Sequence, residues 1–290
     1  MKARNITEQV MHVIFVVCGM ISIIAVVGIS AYMIISGLPA IREIGLKDFL
    51  FGQVWKSTAS EPLFGILPFI LSSIFATTGA ILIGVPIGLL MSVFLSKIAS
   101  TKVASAVRPA VELLAGIPSV VYGLVGIIVL VPAVMDIFNL KSGSTLFSAI
   151  IVLAIMIMPS IVSVSENALN AVPKKFEEAS LALGATKIET IFKVSIPSAK
   201  SGITAGVVLG IGRAIGEAMA VMMVAGNVSN MPKLFSSVRF LTTAISSEMS
   251  YAGGLQKQAL FSIGLVLFVF IMIINIVLNT LLKGGYKDER

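Results

Sequence analysis

The segment ENALNAVPKKFEEASLALGATKIETIFKVSIPSAK, residues 166–200, holds five lysines and four glutamates in a chain of which only 12% is charged. It does not read as a disordered linker. Pro173 suits the first position of a helix. Phe176, Ala179, Ser180 and Leu183 then recur at the i, i+3, i+4, i+7 spacing of one helical face. Lys174 and Glu178 form an i, i+4 pair on another face. Gly184 is a natural stop, and Thr186 with Glu189 makes a capping box that starts a second short helix. Ile188, Ile191 and Phe192 give that helix an apolar side, and Pro197 marks its end. Two amphipathic helices of this kind either pack on a membrane surface and their own bundle or dock a partner.

Outward from this segment the sequence turns apolar. Hydrophobic residues make up 57% of the 290, and mean hydropathy is +1.04. A soluble domain is about 45–50% apolar and about 25% charged, so too little polar surface remains to cover a water-soluble globule. Long charge-free runs, each near the roughly 20 residues that cross a bilayer, place six spans in one transmembrane domain. They cover residues 13–35, 70–95, 113–135, 145–165, 201–226 and 259–282, with 166–200 as the connecting loop. The fold class is therefore all-α and integral to a membrane. The surplus before the second span reads as a short interfacial helix over 63–70. The first run is too long for the core of a cleavable signal and reads as a retained helix.

Charge sets the orientation. Of the 21 Lys and Arg, 13 fall inside if both termini are cytoplasmic, 7 fall outside, and Arg213 lies within a span. That bias favours both termini inside, as an even span count requires. The net +7 thus follows the membrane and is no nucleic-acid footprint. A single cysteine, Cys18, excludes a disulfide framework and a Cys-rich metal site, and His12 is the only histidine.

Arg213 and Glu217 are the ionisable residues well inside a span. Arg213 falls about 12 residues past the start of span five, or ~18 Å along it, near the midplane. A charge there is costly and marks a functional site by default. At i, i+4 the two share a face and can pair. They fit either a neutralised pair that pins helix packing or a pathway. In a pathway Arg213 offers its fork of donors to an anion and Glu217 holds it. Gly206, Gly210, Gly212 and Gly216 let another helix approach closely. Ser119, after Pro118 inside span three, is either a pathway hydroxyl or part of a kinked packing helix. Tyr122 fits the same face or the core.

Two patterns carry a family resemblance. Glu178-Ala179-Ser180, three residues, Gly184, nine residues and then Val194-Ser195-Ile196-Pro197 resembles the EAA loop of bacterial ABC importer permeases. Ser180 replaces the second Ala, and Val194 and Ile196 are conservative departures. The resemblance implies that Glu178, Ala179, Ser180, Gly184 and Pro197 belong to the coupling contact with an ATPase subunit. The stretch GIGRAIGEAMAVMMVAGN, 210–227, resembles the phosphate-specific members, and their C-type subunit more than the A-type. ELLAGIPSVVYG at 112–123 and ALFSIGLVLF at 259–268 agree. The likeness covers about 65–282; the first 60 residues match only in layout.

The family implies a type I importer permease that takes up phosphate as a heterodimer with an A-type permease. Two copies of a cytoplasmic ABC ATPase and a periplasmic or surface phosphate-binding protein complete it, in a bacterial plasma (inner) membrane. Arg213 and Glu217 correspond to the charged pair of that span, with Ser119 a further pathway residue. No G-x-x-x-x-G-K-[ST] loop is present, so the chain is expected to bind no cofactor and the partner ATPase to use ATP-Mg. No catalytic or metal set is found either, which argues against an enzyme. The alternatives are a permease for another oxyanion, sulfate or molybdate, and a proton-driven secondary carrier that uses Glu217.

Overall fold

The structure, a computed structural model, describes residues 2–284. Lys287 and Arg290, two of the charges counted as inside, lie outside the described residues, as do the side chains of Lys2, Arg4 and Lys283. Among the described residues five helices are long and apolar enough to cross a membrane: Glu8–Ile44, Leu67–Ile98, Ser119–Ile137, Leu146–Asn170 and Gly254–Val277. The pair Lys187–Ser198 and Lys200–Gly216, bent by 72°, brings the number to six when taken together.

The elements in chain order are α1 (Lys2–Ile44), α2 (Leu46–Phe51), β1 (Trp55–Lys56), β2 (Leu63–Phe64), α3 (Leu67–Val93), α4 (Thr101–Gly116), α5 (Ser119–Val125), α6 (Val131–Ile137), α7 (Leu146–Asn170), α8 (Lys174–Ala182), α9 (Lys187–Thr190), α10 (Ile196–Ser198), α11 (Lys200–Gly216), α12 (Met219–Val224), α13 (Leu241–Glu248) and α14 (Gly254–Gly284). Wide π turns at Phe94–Ile98, Gly126–Leu130 and Ile191–Ser195 extend α3, join α5 to α6, and join α9 to α10.

The centre of the bundle is α7, which buries 15 of its 25 residues, from Leu146 to Leu169. Lipid tails are as apolar as leucine, so close packing rather than hydrophobicity holds such helices together. Glycines supply the closeness. On α3, Gly84 and Gly88 face Ile157 and Ile161 of α7, and a Cβ on Gly84 would lie 2.9 Å from Ile157. On α11, Gly202, Gly206 and Gly210 face Ala168, Ser165 and Ile161. By contrast, Gly212 and Gly216 meet nothing within 4 Å, so only part of the glycine series packs inside this chain. Outside the core, α1 leaves Val10 to Ile29 exposed. It meets α14 only near its end, antiparallel, where Gly37 lies against Phe261 and Ser262.

Three departures from the expected layout bear on the site. Leu63 and Phe64 pair with Lys56 and Trp55 in an antiparallel hairpin, so there is no interfacial helix over 63–70 and α3 begins at Leu67. Pro68 stands in the first turn of α3, where its missing N–H leaves no helical bond unmade, and the preceding Leu63 and Phe64 engage their backbone groups with β1. Span three begins at Ser119 instead of 113. Ile117 (ψ 130°) and Pro118 (ψ 139°) are extended and separate α5 from the amphipathic α4, because the residue before a proline avoids the helical region. Span five stops at Gly216 instead of running to 226.

A buried carboxylate organises the hairpin end of the bundle. Glu248, at the end of α13, accepts hydrogen bonds from Trp55 Nε1 at 3.1 Å, Ser57 Oγ at 3.0 Å and Gln256 Nε2 at 3.0 Å. It also pairs with Arg239. Arg239 Nε in turn reaches the carbonyl and the side-chain oxygen of Asn227, each at 3.2 Å. Such a charge is tolerated because every lone pair finds a donor.

Gly84→Leu is expected to overpack the α3–α7 seam, at a cost of about 1–3 kcal/mol, and to lower the unfolding midpoint in detergent. Gly212→Ala should leave that midpoint unchanged or raised, since it meets no neighbour and removes a flexible residue from a helix.

Candidate functional site

Span five is interrupted where the charges sit. After Gly216, Glu217 (φ −70°, ψ 130°) and Ala218 leave the helical region, and α12 restarts at Met219. The interruption strands carbonyls at the end of α11 and N–H groups at the start of α12. Glu217 satisfies one of each. Its Oε1 accepts from the Ala220 N–H at 2.9 Å, and its own carbonyl accepts from Thr242 Oγ1 at 2.7 Å. Beside it lies a cavity of about 10 Å³ bordered by Ser73, Thr77 and Thr242, room for about one water.

Arg213 and Glu217 therefore do not pair: among the described residues no ion pair joins them. An i, i+4 pair needs an unbroken helix, and the break removes the shared face. Arg213, half-buried in the last turn of α11, donates from Nη1 to Ser160 Oγ of α7 at 3.3 Å.

Helix α5 packs on α12 through two glycines. Gly123 lies against Ala220 and Met223, and Gly126 against Val224. The two stretches 112–123 and 210–227 thus meet in space. Tyr122 donates its hydroxyl to the Leu114 carbonyl at 2.7 Å, which also accepts from the Ile117 N–H at 3.3 Å; Pro118, four residues on, has no N–H to offer it. Ser119 is half-buried and makes no side-chain hydrogen bond among the described residues. Next to these residues, an apolar cavity of about 440 Å³ runs along Leu114, Tyr122, Val125, Val129 and Ile155. Without polar partners it suits no anion.

At the other end, the charged loop folds as two helices. Pro173 stands at the N-cap of α8, one position before the expected place. Gly184 has φ 89°, a left-handed conformation that favours glycine. The Ala185 N–H reaches the Ser180 carbonyl at 3.2 Å and the Gly184 N–H reaches Leu181 at 3.0 Å, the bonding of a Schellman turn. The capping box of Thr186 and Glu189 is present. Ser180, the departure from the second Ala of the motif, ties α8 to α9 by a 3.0 Å contact with Thr190. Pro197 sits inside α10, and the chain bends two residues later at Ala199.

Glu178, Ala179 and Gly184 are exposed. So are Phe176, Leu181, Ile188 and Phe192, and Leu183 is 90% exposed. The neighbouring Glu177 turns inward, where Lys97 Nζ lies 2.6 Å and Ser195 Oγ 2.9 Å from its carboxylate. Burial pushes the Glu177 carboxyl up. The hydrogen bonds from Lys97 and Ser195 and the charges of Lys97 and Lys174 outweigh this and hold it below the usual carboxylate value. Ser160, Glu177 and Lys97 escaped the sequence reading because they acquire their roles through long-range contacts, whereas Leu183 belongs to the apolar face that the periodicity marks.

This arrangement is that of a known class. Residues 84–284 match the family described as binding-protein-dependent transport system inner membrane component, and the chain belongs to that family. It is a membrane transport subunit of the ABC importer type, a class that works with ATPase and substrate-binding partners. It is 39% identical to a probable ABC transporter permease protein of Bacillus subtilis, YqgH, over 94% of this chain and 91% of that one. It is 35% identical to the phosphate transport system permease protein PstC of Pasteurella multocida, over 83% of this chain and 81% of that one. The fold superposes on a bacterial alginate ABC transporter with TM-score 0.62 at 15% identity, covering 93% and 92% of the two chains. On the inward-facing MetNI methionine transporter the TM-score is 0.58 at 22% identity, covering 76% and 94%.

A carboxyl held below its ordinary value in the folded chain stabilises above its unfolded pKa and loses that contribution as pH falls through the lower, folded one. Amide protection over 174–182, the exchange rate corrected for its intrinsic pH dependence, is therefore expected to hold at neutral pH and to drop only at or below the ordinary carboxylate range, and Glu177→Ala should abolish that pH step.

Proposed function

We propose that this chain is the C-type permease subunit of an ATP-driven phosphate importer and forms half of the translocation pathway. The observation that carries the reading is the Arg213 guanidinium at the break of span five, unpaired by any carboxylate among the described residues. Discontinuous spans recur where transporters bind substrates near the midplane. A guanidinium held only by a long hydrogen bond to Ser160 keeps its remaining donors for the oxygens of an oxyanion. The PstC relatives at 35% identity support phosphate as that anion.

In this reading Glu217 keeps the break open as a helix cap and does not neutralise Arg213. Ser119 and Tyr122 line the α5 side of the same pathway. Gly212 and Gly216 present bare backbone toward an A-type partner permease. The exposed edge of α8, with Glu178, Ala179 and Leu183, enters the ATPase, and Ser180, Gly184 and Pro197 shape that edge. Two ATPase copies bind and hydrolyse ATP-Mg; this chain holds no cofactor and has no ATPase site. A phosphate-binding protein docks at the hairpin end of the bundle. Both termini and the 166–200 loop face the cytoplasm of a bacterial plasma (inner) membrane. ATP-driven closure of the ATPases moves the coupling helices and switches the bundle between outward- and inward-open states. The site is weak enough to release its anion on the inner side.

Uptake of labelled phosphate into vesicles holding the full complex tests this. Arg213→Gln should lower uptake at least ~100-fold, the loss of a charge-assisted bidentate contact of about 3 kcal/mol, with the complex still assembled; normal uptake would exclude the pathway role. Competition by sulfate or molybdate as strong as by phosphate would point to another oxyanion. Uptake driven by a proton gradient without ATP would point to a secondary carrier. Leu183→Asp or Gly184→Trp should release the ATPase from the membrane, read by co-purification.

A further inference from the structure

Helix α8 buries none of its side chains. Its apolar residues point away from the chain, so apolar packing does not fix its position against the spans. Beneath it lies a small core of Val93, Leu169, Val172, Ile191 and Ala199, which joins the ends of α3 and α7 to the approach of α11. What fastens α8 to that platform is polar. Ser180 reaches Thr190 and so ties α8 to α9. The covalent links at Pro173 and Gly184 hold its two ends to α7 and α9. Among the described residues, the side-chain tie from α8 to span two is the pair Glu177–Lys97. Lys97 stands in the last turn of that span with its side chain 11% exposed, and Glu177 is 25% exposed. The same carboxylate accepts from Ser195, in the π turn that leads to α10 and α11.

We propose that Glu177 is a positioning residue: its carboxylate locks the coupling helix to spans two and five, so that a displacement of α8 moves both spans together. This rests on the importer reading above. The neighbouring Glu178, exposed on α8, faces the ATPase, while Glu177 faces the bundle, so one residue serves attachment and the next serves transmission. The shielding of Lys97 keeps the pair from being screened as a surface pair is. When α8 is pushed, a charge-assisted contact at 2.6 Å resists separation from α3, which a hydroxyl contact to α9 alone does not do.

The test uses the complete complex in vesicles and reads phosphate taken up per ATP hydrolysed, with co-purified ATPase measured in parallel. Lys97→Glu and Glu177→Lys singly should each lower the ratio roughly tenfold, a coupling loss at the modest end for linked sites, while the ATPase stays bound. The swapped double variant K97E/E177K should restore the ratio to within about twofold of the unsubstituted complex. Single variants that keep the full ratio would overturn the proposal. So would a swap as defective as the singles, or loss of the ATPase from either single, which would make Glu177 part of the docking contact. An unsubstituted complex that hydrolyses ATP without phosphate uptake would instead overturn the importer reading.

Discussion

The close approach of α3 and α11 to α7 sets the geometry on which the rest depends. Gly84 and Gly88 on one side and Gly202, Gly206 and Gly210 on the other let side chains of the central helix, chiefly Ile157 and Ile161, seat directly on the backbones of two neighbouring helices. In a membrane such contact replaces the hydrophobic drive that water would supply. It also fixes register. With Gly210 seated against Ile157 and Ile161, Arg213 three residues on lies within reach of Ser160 of α7.

Interruption of span five completes that geometry. An intact helix would stack Glu217 under Arg213 and cancel its charge. The break at Glu217–Ala218 turns the carboxylate to the N–H of Ala220, and Thr242 ties the break to α13. At the far end of α13, Glu248 holds Trp55, Ser57, Gln256 and Arg239. One short helix thus connects the interrupted span to the hairpin end of the bundle. At the opposite end the Lys97–Glu177–Ser195 cluster joins α8 to spans two and five. The two ends are held by buried or half-buried carboxylates, and the middle by glycine contacts.

Much of this was legible in the sequence. The charge-free runs located the spans, since no charged residue is tolerated in hydrocarbon without reason. The 3.6-residue periodicity, Gly184 and the Thr186–Glu189 box located the coupling helices, because caps and positive-φ turns are local chemistry. The hairpin of Trp55 and Phe64, the break before Ser119 and the end of α11 at Gly216 were not read. The hairpin depends on pairing across a loop. At Glu217 only Gly216 weakens the helix, while Glu217, Ala218 and Met219 favour it, and Thr242 and Ala220, supplied by other elements, make the interrupted form satisfiable.

By itself the sequence determined that the chain spans a membrane in apolar helices, displays a charged pair of amphipathic helices at one end, and carries an arginine inside its fifth span. Those are consequences of residue type and spacing, which act over a few residues. The tertiary structure alone decided which partner each charge takes. Arg213 turned to Ser160, Glu217 to the backbone, Glu177 to Lys97, and Glu178 outward. Neighbouring glutamates of identical chemistry acquire different roles because a hydrogen bond depends on angstrom-scale placement, and that placement comes from helices packed together across more than 50 residues of chain.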